Sequence, residues 1–182
     1  MANLKNARTW GGIGAVLSMF YMTYFLGFVM KLFAVREIAA YFKRDDIMKD
    51  YLWAALLNIT GNLIMIGAFY SAWSQLHGII GRPDEIEAVL RSMNLWFFVG
   101  ALIILIGVWF LRRSYDAIAM ETGVKTFSTA ALMYLIGAVF IFFFIGYMLI
   151  LVGAILEAMA FFALPSEIPK EGAEVEETQE GL

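Results

Sequence analysis

The strongest indication of fold class in this sequence is the run AALMYLIGAVFIFFFIGYMLILVGAILEAMAFFAL, residues 130–164, in which Glu157 is the single charged residue. A hydrocarbon core about 30 Å thick needs about 20 helical residues to cross it. No Pro, Asn, Asp or Ser interrupts the run, and a turn inside lipid would leave backbone groups without partners. We therefore expect one long, tilted membrane helix over 130–164. The alternative is a division near Gly146 and Tyr147 into two short legs.

Three further apolar runs are long enough to cross a bilayer, over residues 10–35, 51–73 and 95–111. The 182-residue chain is 62% hydrophobic and 16% charged, whereas soluble domains are about half apolar and about a quarter charged. The sequence thus predicts an all-α polytopic membrane protein in which residues 1–164 form a single bundle. We expect four transmembrane helices, with helical extensions beyond the bilayer.

Composition argues against several classes of function. The chain has no Cys and one His, His77, which disfavours disulfides, thiolate chemistry and a zinc or haem site. No nucleophile motif or phosphate loop occurs. No basic face is present to neutralise phosphates. We expect no catalytic residues, cofactor, metal ion or nucleic-acid partner, and no enzymatic activity.

The C-terminal segment 165–182 differs sharply from the rest of the chain. It holds one Lys and six Glu and no aromatic residue. Such a segment cannot bury enough apolar surface to offset the entropy of ordering. The sequence predicts a disordered acidic tail.

Polar residues inside the second run form a candidate intramembrane face, made of Asn58, Thr60 and Asn62. Asn58 and Asn62 are four positions apart and share one side of a helix. An amide in lipid needs a partner, so this face is expected to point into the bundle. There it either holds helices together, which is the favoured interpretation, or lines a polar path.

Two charged residues lie within apolar runs. If Glu157 is buried, desolvation favours its protonated form and would suit it to carry protons. The favoured alternative is that the long last helix has left the hydrocarbon by this point, so that Glu157 lies at the interface. Lys31 is expected to extend its stem so that the ammonium reaches the headgroups.

Small residues predict close helix packing. They recur seven positions apart in the third and fourth runs, as Gly100 and Gly107, and as Gly146, Gly153 and Ala160. Such seams let helix backbones approach one another.

Segments in the first and last runs match each other. GAV occurs at 14–16 and 137–139, and EIAAYF at 37–42 matches EAMAFF at 157–162. Internal repeats occur in transporter folds. A chance match between short apolar strings is the alternative interpretation.

With four spans, eight Lys and Arg fall on the side of loops 36–50 and 112–129, and five on the other side. Cytoplasmic loops carry the excess of Lys and Arg. Loops 36–50 and 112–129 are therefore expected to be cytoplasmic in the cell membrane, with both termini outside.

Five segments together resemble the DUF996 family of small archaeal and bacterial membrane proteins of unknown function. They are KNARTWGGIGAVL at 5–17, REIAAYF at 36–42, ETGVKTF at 121–127, YLIGAV at 134–139 and AMAFFALP at 158–165. Family members have a Pro- and Gly-containing break in the first hydrophobic region, as if it formed a hairpin. Here that region has no Pro, so the family's span count is not carried over. The resemblance implies no catalytic or ligand-binding residues.

Two classes of function remain compatible with the sequence. The first is helix association, as an accessory or regulatory component of a membrane complex or as a homo-oligomer, because packing seams are clear and motifs of chemistry are lacking. Its partners would be the lipid bilayer and other membrane subunits or the protein itself. The alternative is a small-solute or ion transporter or channel that uses Asn58, Asn62 and Glu157.

Overall fold

The computed structural model describes residues 4–20, 23–76, 83–141 and 143–165, which fold into helices with no strand among them. The helices are α1 (Leu4–Leu17), α2 (Tyr24–Phe42), α3 (Asp45–Leu76), α4 (Pro83–Thr122), α5 (Thr126–Val139) and α6 (Phe144–Phe162). Stretches of α3, α4 and α6 are long and apolar enough to cross a membrane. The all-α membrane fold is therefore confirmed. His77 and nearly all of the predicted acidic tail lie outside the described residues.

The first apolar run is a helical hairpin, not a single span. α1 ends at Leu17 and α2 begins at Tyr24, and the two helices pack against each other. The legs approach closely at two glycines, since a Cβ on Gly27 would stand 2.5 Å from the carbonyl oxygen of Gly14. A Cβ on Gly14 would stand 2.7 Å from the oxygen of Gly27. The expected single helix over 10–35 is wrong, although the run lacks the Pro of the family's hairpin.

The last run is also a hairpin, so the expectation of one helix over 130–164 is wrong. α5 and α6 pack together and are joined by a turn at 140–143, just before the division near Gly146 that was the alternative. Gly137 and Gly146 make this contact, with a Cβ on Gly137 placed 2.9 Å from the oxygen of Gly146.

Described residues of both turns make local backbone hydrogen bonds, which helps to explain why apolar sequence can turn here. The amides of Phe140, Phe143 and Gly146 each donate to a carbonyl three or four residues earlier. In the first turn, the hydroxyl of Thr23 donates to the carbonyl of Leu17 at 2.7 Å. The penalty for unpaired amides in an apolar medium is thus reduced without Pro or a run of polar residues.

The two hairpins have the same dimensions. Each has a first leg of 14 residues and a second leg of 19 residues. Each also places a glycine contact near its turn, Gly14 with Gly27 and Gly137 with Gly146. This arrangement fits the internal repeat noted in the sequence.

The six helices form a closed ring in chain order. Each helix contacts the next, and α6 returns to pack against α1. At this closure the rings of Phe161 and Phe162 lie over Gly11 and Gly12, where any Cβ would collide with them.

One end of the bundle, which we call the common end, gathers a terminus of every helix. Its buried core draws on the starts of α1, α3 and α5 and the ends of α2, α4 and α6. One member from each of the six helices, in chain order, is Leu4, Ile38, Ile47, Ile118, Phe127 and Phe161. Residues 4 and 165 therefore lie on the same side as loops 36–50 and 112–129. The expected placement of the termini on the opposite side is wrong because both hairpins turn back.

The predicted helical extensions are confirmed at the common end. α2 continues to Phe42 and α4 to Thr122, beyond the apolar runs that precede them. Gly123 ends α4 with φ 74°, a conformation that favours glycine. Arg44, in the α2–α3 turn, donates to Glu121 at 2.7 Å.

Candidate functional site

A buried ion pair joins the two hairpins. Lys31 is on α2 and Glu157 is on α6, and the Lys31 Nζ lies 3.1 Å from Oε1 and 3.2 Å from Oε2 of Glu157. The side chain of Glu157 is 1% exposed and that of Lys31 is 11% exposed. Ionisable groups within membrane helices are costly, face the bundle interior and commonly mark functional sites.

Two tyrosines complete the coordination of the carboxylate. The hydroxyl of Tyr134 on α5 donates to Oε2 at 2.6 Å. The hydroxyl of Tyr115 on α4 donates to Oε1. Glu157 thus accepts hydrogen bonds from three side chains on three different helices, which uses three of the about four acceptor sites of a carboxylate.

These placements differ from the favoured interpretations of both charged residues. Glu157 is buried inside the bundle and is not exposed on its surface. Lys31 turns inward to Glu157 and not outward to the headgroups. Because each charge neutralises the other, both can leave water at a lower cost than either could alone.

A row of five aromatic rings, one from each of α2 to α6, supports the ion pair on the side of the common end. The ring centroids of Phe28 and Tyr51 are 6.1 Å apart, and those of Tyr51 and Tyr115 are 6.3 Å apart. Phe127 follows at 5.4 Å from Tyr115, and Phe161 at 5.0 Å from Phe127. The row fixes the position of Tyr115 beneath Glu157.

A cavity of about 400 Å³ borders the ion pair. One stripe of α3 lines it, made of Tyr51, Ala54, Ala55, Asn58, Asn62 and Ile66. Lys31 and Glu157 lie at one end of the stripe, near Tyr51. At the other end, Ile66 and Tyr147 are 53% and 55% exposed, so the cavity opens there on the outer, apolar surface of the bundle.

The predicted polar face is divided in the structure. Asn58 and Asn62 line the cavity, with Asn58 half-buried and Asn62 exposed. Thr60 is also exposed and does not line the cavity, because two positions turn it to the far side of the helix. Each amide nitrogen bonds a carbonyl of its own helix, Asn58 to Ala54 at 2.7 Å and Asn62 to Asn58 at 2.8 Å.

The predicted seam residues lie at contacts within the chain. A Cβ on Gly100 would stand 2.9 Å from the carbonyl oxygen of Gly61. A Cβ on Gly107 would stand 2.6 Å from the side-chain nitrogen Nδ2 of Asn58. Gly146 meets Gly137, as described above. Gly153 faces Ala130 and Tyr134 across the second hairpin, and Ala160 is fully buried.

The roles of Tyr115 and Tyr134 and the pairing of Lys31 with Glu157 were not predicted from the sequence. One feature of the sequence does indicate the pairing. Lys31 and Glu157 carry opposite charges and lie inside the two apolar runs that resemble each other. Intramembrane charges commonly pair, so the two could have been matched.

The site is equipped for recognition by charge and hydrogen bonds. It offers an ammonium, a carboxylate, two phenols and two amides. Within the described ranges, no group of three or more His, Cys, Asp or Glu side chains could hold a metal ion.

Comparison with known proteins places the chain in a family. An uncharacterized protein of Methanocaldococcus jannaschii is 32% identical over 179 residues, which cover 92% of this chain and 97% of that relative. No solved structure matches the chain at a significant level. Residues 23–155 match the model of DUF996, described as a protein of unknown function. The match contains Lys31, Tyr115 and Tyr134 and ends two residues before Glu157. The chain therefore belongs to the DUF996 family.

Proposed function

We propose that this protein is a membrane transporter that takes a small molecule from the bilayer into the cavity between its helices. The observation that carries the proposal is the Lys31–Glu157 ion pair at one end of a 400 Å³ cavity with an apolar mouth. Ligand sites are mostly apolar cavities of about 300–1,000 Å³ with a few convergent polar groups.

A purely structural role explains the ion pair less well. Replacing a buried ion pair by packed apolar residues is often neutral or stabilising, so stability alone gives little reason to keep two charges here. A structural pair would also be enclosed by packing, whereas Lys31 and Glu157 both border open volume.

The hairpins support a specific membrane arrangement. Their first legs, α1 and α5, have 14 residues each and are about 21 Å long at about 1.5 Å per residue. This is short of the hydrocarbon core of about 30 Å. In this proposal α3 and α4 cross the bilayer, and each hairpin enters and leaves from the common end.

Charge supports a cytoplasmic position for the common end. Nine described cations lie there: Lys5, Arg8, Arg36, Lys43, Arg44, Lys49, Arg112, Arg113 and Lys125. At the opposite end, the described cation is Arg91. This excess of Lys and Arg supports an orientation in the cell membrane with the common end and loops 36–50 and 112–129 on the cytoplasmic side.

Native mass spectrometry tests the proposal on protein extracted gently from its own membrane. The wild type is expected to retain a small non-protein molecule. The variant Ala55→Phe, which fills the cavity, should lose it, while Ala40→Phe, with the same change at an exposed position, should keep it. The identified molecule is then loaded into vesicles to measure its flux. A wild type that carries no small molecule, or whose bound molecule shows no flux, contradicts the transport function.

Helix association remains a second candidate function because of Gly67. Among the helical glycines that the structure describes, Gly67 alone has no atom within 4 Å of an added Cβ, and Ser71 follows it on the same exposed face. Two small residues four apart let a second helix approach closely. The partner in this proposal is a second copy of the chain, and an accessory role in a larger complex would use the same face.

Photobleaching of single labelled particles in liposomes tests the association. Gly67→Leu should convert a dimer to a monomer, and Gly67→Ala should leave it intact because alanine keeps the face narrow. A wild type that is monomeric at all protein densities rules out self-association.

A further inference from the structure

The shape of the cavity limits what it can hold. The α3 stripe from Tyr51 to Ile66 covers about 22 Å at about 1.5 Å per residue. The cavity has a volume of about 400 Å³ and follows this stripe, so its elongated shape fits an extended hydrocarbon chain. Apolar side chains form most of the remaining wall, and they include Ile104, Val108, Ala138, Ile150 and Ala154.

The hydrogen bonds already made by the Lys31–Glu157 pair limit which ligand head group can bind there. Glu157 already accepts from Lys31, Tyr115 and Tyr134, which leaves about one of the four lone-pair sites of a carboxylate for a proton from a ligand. Lys31 has three N–H groups, and its described hydrogen bonds all go to the one carboxylate. Because the ammonium also borders the cavity, it can receive a head group that accepts hydrogen bonds.

The net charge of the site limits which hydrogen-bond-accepting head group can bind next to Lys31. The Lys31–Glu157 pair is neutral as a unit, and a permanently anionic head would add an uncompensated charge in a medium of low dielectric constant. A carboxylic acid avoids this cost, because its O–H bond breaks as a new O–H bond forms on Glu157. The resulting ligand carboxylate then binds the ammonium of Lys31, which keeps its protons, and the net charge of the site is unchanged.

We infer that the cavity binds a single-chain amphiphile with a carboxylic acid head, with the acid at Lys31 and the chain along α3. This inference rests on the proposed function and names the substrate class for the same site. Other charged and titratable groups facing Glu157 are Tyr115 on α4 and Tyr134 on α5, with Tyr51 of α3 stacked behind Tyr115. None of these carries a competing positive charge.

Photocrosslinking in reconstituted phosphatidylcholine vesicles tests the inference. The probes are diazirine-bearing alkyl chains of one length with four heads: carboxylic acid, alcohol, trimethylammonium and sulfate. Adducts are mapped by digestion and mass spectrometry. The acid probe should label the cavity-lining residues of α3 and α6 roughly tenfold more than the other probes, because a hydrogen bond to a charged group contributes about 1.5–3 kcal/mol.

The outcomes separate this inference from the proposed function. Equal labelling by all heads, or preference for the alcohol, ammonium or sulfate, overturns the acid assignment and leaves a ligand cavity in place. If no probe of any head labels the cavity, and native mass spectrometry finds no bound molecule, the proposed function fails as well.

Two matched variants test whether Lys31 is the residue that binds the carboxylic acid head group. Lys31→Met should remove the preference for the acid and keep the alcohol labelling. Lys49→Met, which removes an exposed cation from the common end, should keep the preference. A Lys31→Met protein that folds and still prefers the acid overturns the inference.

A measurement on the wild type covers the case in which Lys31→Met does not fold. Labelling by the acid probe should fall as the pH rises through the pKa of the probe, because only the neutral acid can supply the proton. Labelling by the sulfate probe should stay level over the same range. Acid labelling that does not fall with rising pH overturns the proton exchange.

Discussion

The ammonium nitrogen of Lys31 lies 3.1 Å from a carboxylate oxygen of Glu157, although 126 positions separate these residues in the chain. The contact joins two hairpins that resemble each other in length and in their glycine contacts. Each hairpin alone would carry one unpaired charge in an apolar run. The pair therefore couples the correct assembly of the ring to the neutralisation of both charges.

Removing one partner of this pair should destabilise the protein strongly. Lys31→Met leaves Glu157 as a buried, uncompensated charge, which costs about 3–5 kcal/mol in comparable pairs. The double variant Lys31→Met/Glu157→Leu should recover a large part of the loss. The measurement is the free energy of unfolding in mixed micelles titrated with a denaturing detergent.

The exposed pair of Arg91 and Glu87 provides the control. Their side chains are 80% and 66% exposed, and exposed pairs contribute less than about 1 kcal/mol. Arg91→Met should therefore have little effect. A double variant at Lys31 and Glu157 that is no more stable than Lys31→Met alone would mean that the two charges are not coupled.

The hydroxyl of Tyr134 should contribute measurably through its bond to Glu157. Tyr134→Phe removes one donor from the buried carboxylate, and a hydrogen bond to a charged group contributes about 1.5–3 kcal/mol. The same change at Tyr70, whose side chain is 74% exposed, should be nearly neutral. In a Glu157→Leu background the Tyr134→Phe loss should disappear; a loss of equal size there would place the effect elsewhere.

Glycine contacts should limit the stability of the hairpins. In Gly27→Ala the new Cβ would stand 2.5 Å from a carbonyl oxygen of α1, so the legs must separate, at a cost of about 1–3 kcal/mol typical of overpacking. Gly67→Ala meets open space and should stabilise the helix by up to about 1 kcal/mol. Thermal unfolding of both variants in one detergent gives the comparison. Equal stability of the two variants would argue against the close contact at Gly27.

The fold class was predictable from the sequence because it depends on the fraction of apolar residues and on the lengths of the apolar runs. The ends of α2 and α4 beyond the membrane runs were also predictable, since helical spacing continues to Phe42 and a glycine at 123 follows α4. These features are local, and a short window of sequence contains all the information needed.

The hairpin turns were not predictable from local patterns. The turn at 140–143 lies in an apolar run with no Pro or polar residue, and it is stabilised by backbone bonds and by the contact of Gly137 with Gly146. The candidate site was only partly predictable for a related reason. Asn58, Asn62 and Glu157 were noted one by one, but Lys31 and Tyr115 reach Glu157 through packing across the ring.

The membrane arrangement can be tested directly because the chain has no cysteine. Single cysteines at Lys5, Lys43 and Lys125 should all react with a membrane-impermeant maleimide from the same side. If residues 10–35 crossed the bilayer as one helix, Lys5→Cys and Lys43→Cys would react from opposite sides.

Right-side-out and inverted vesicles distinguish these two arrangements, and Ser74→Cys serves as the opposite control because it lies at the far end of α3. In the proposed orientation, Ser74→Cys reacts in right-side-out vesicles and the other three react in inverted ones. The excess of Lys and Arg at the common end predicts this direction. Reaction of Lys5→Cys together with Ser74→Cys would rule out the re-entrant first hairpin, and with it the grouping of all six helix termini on one side of the membrane.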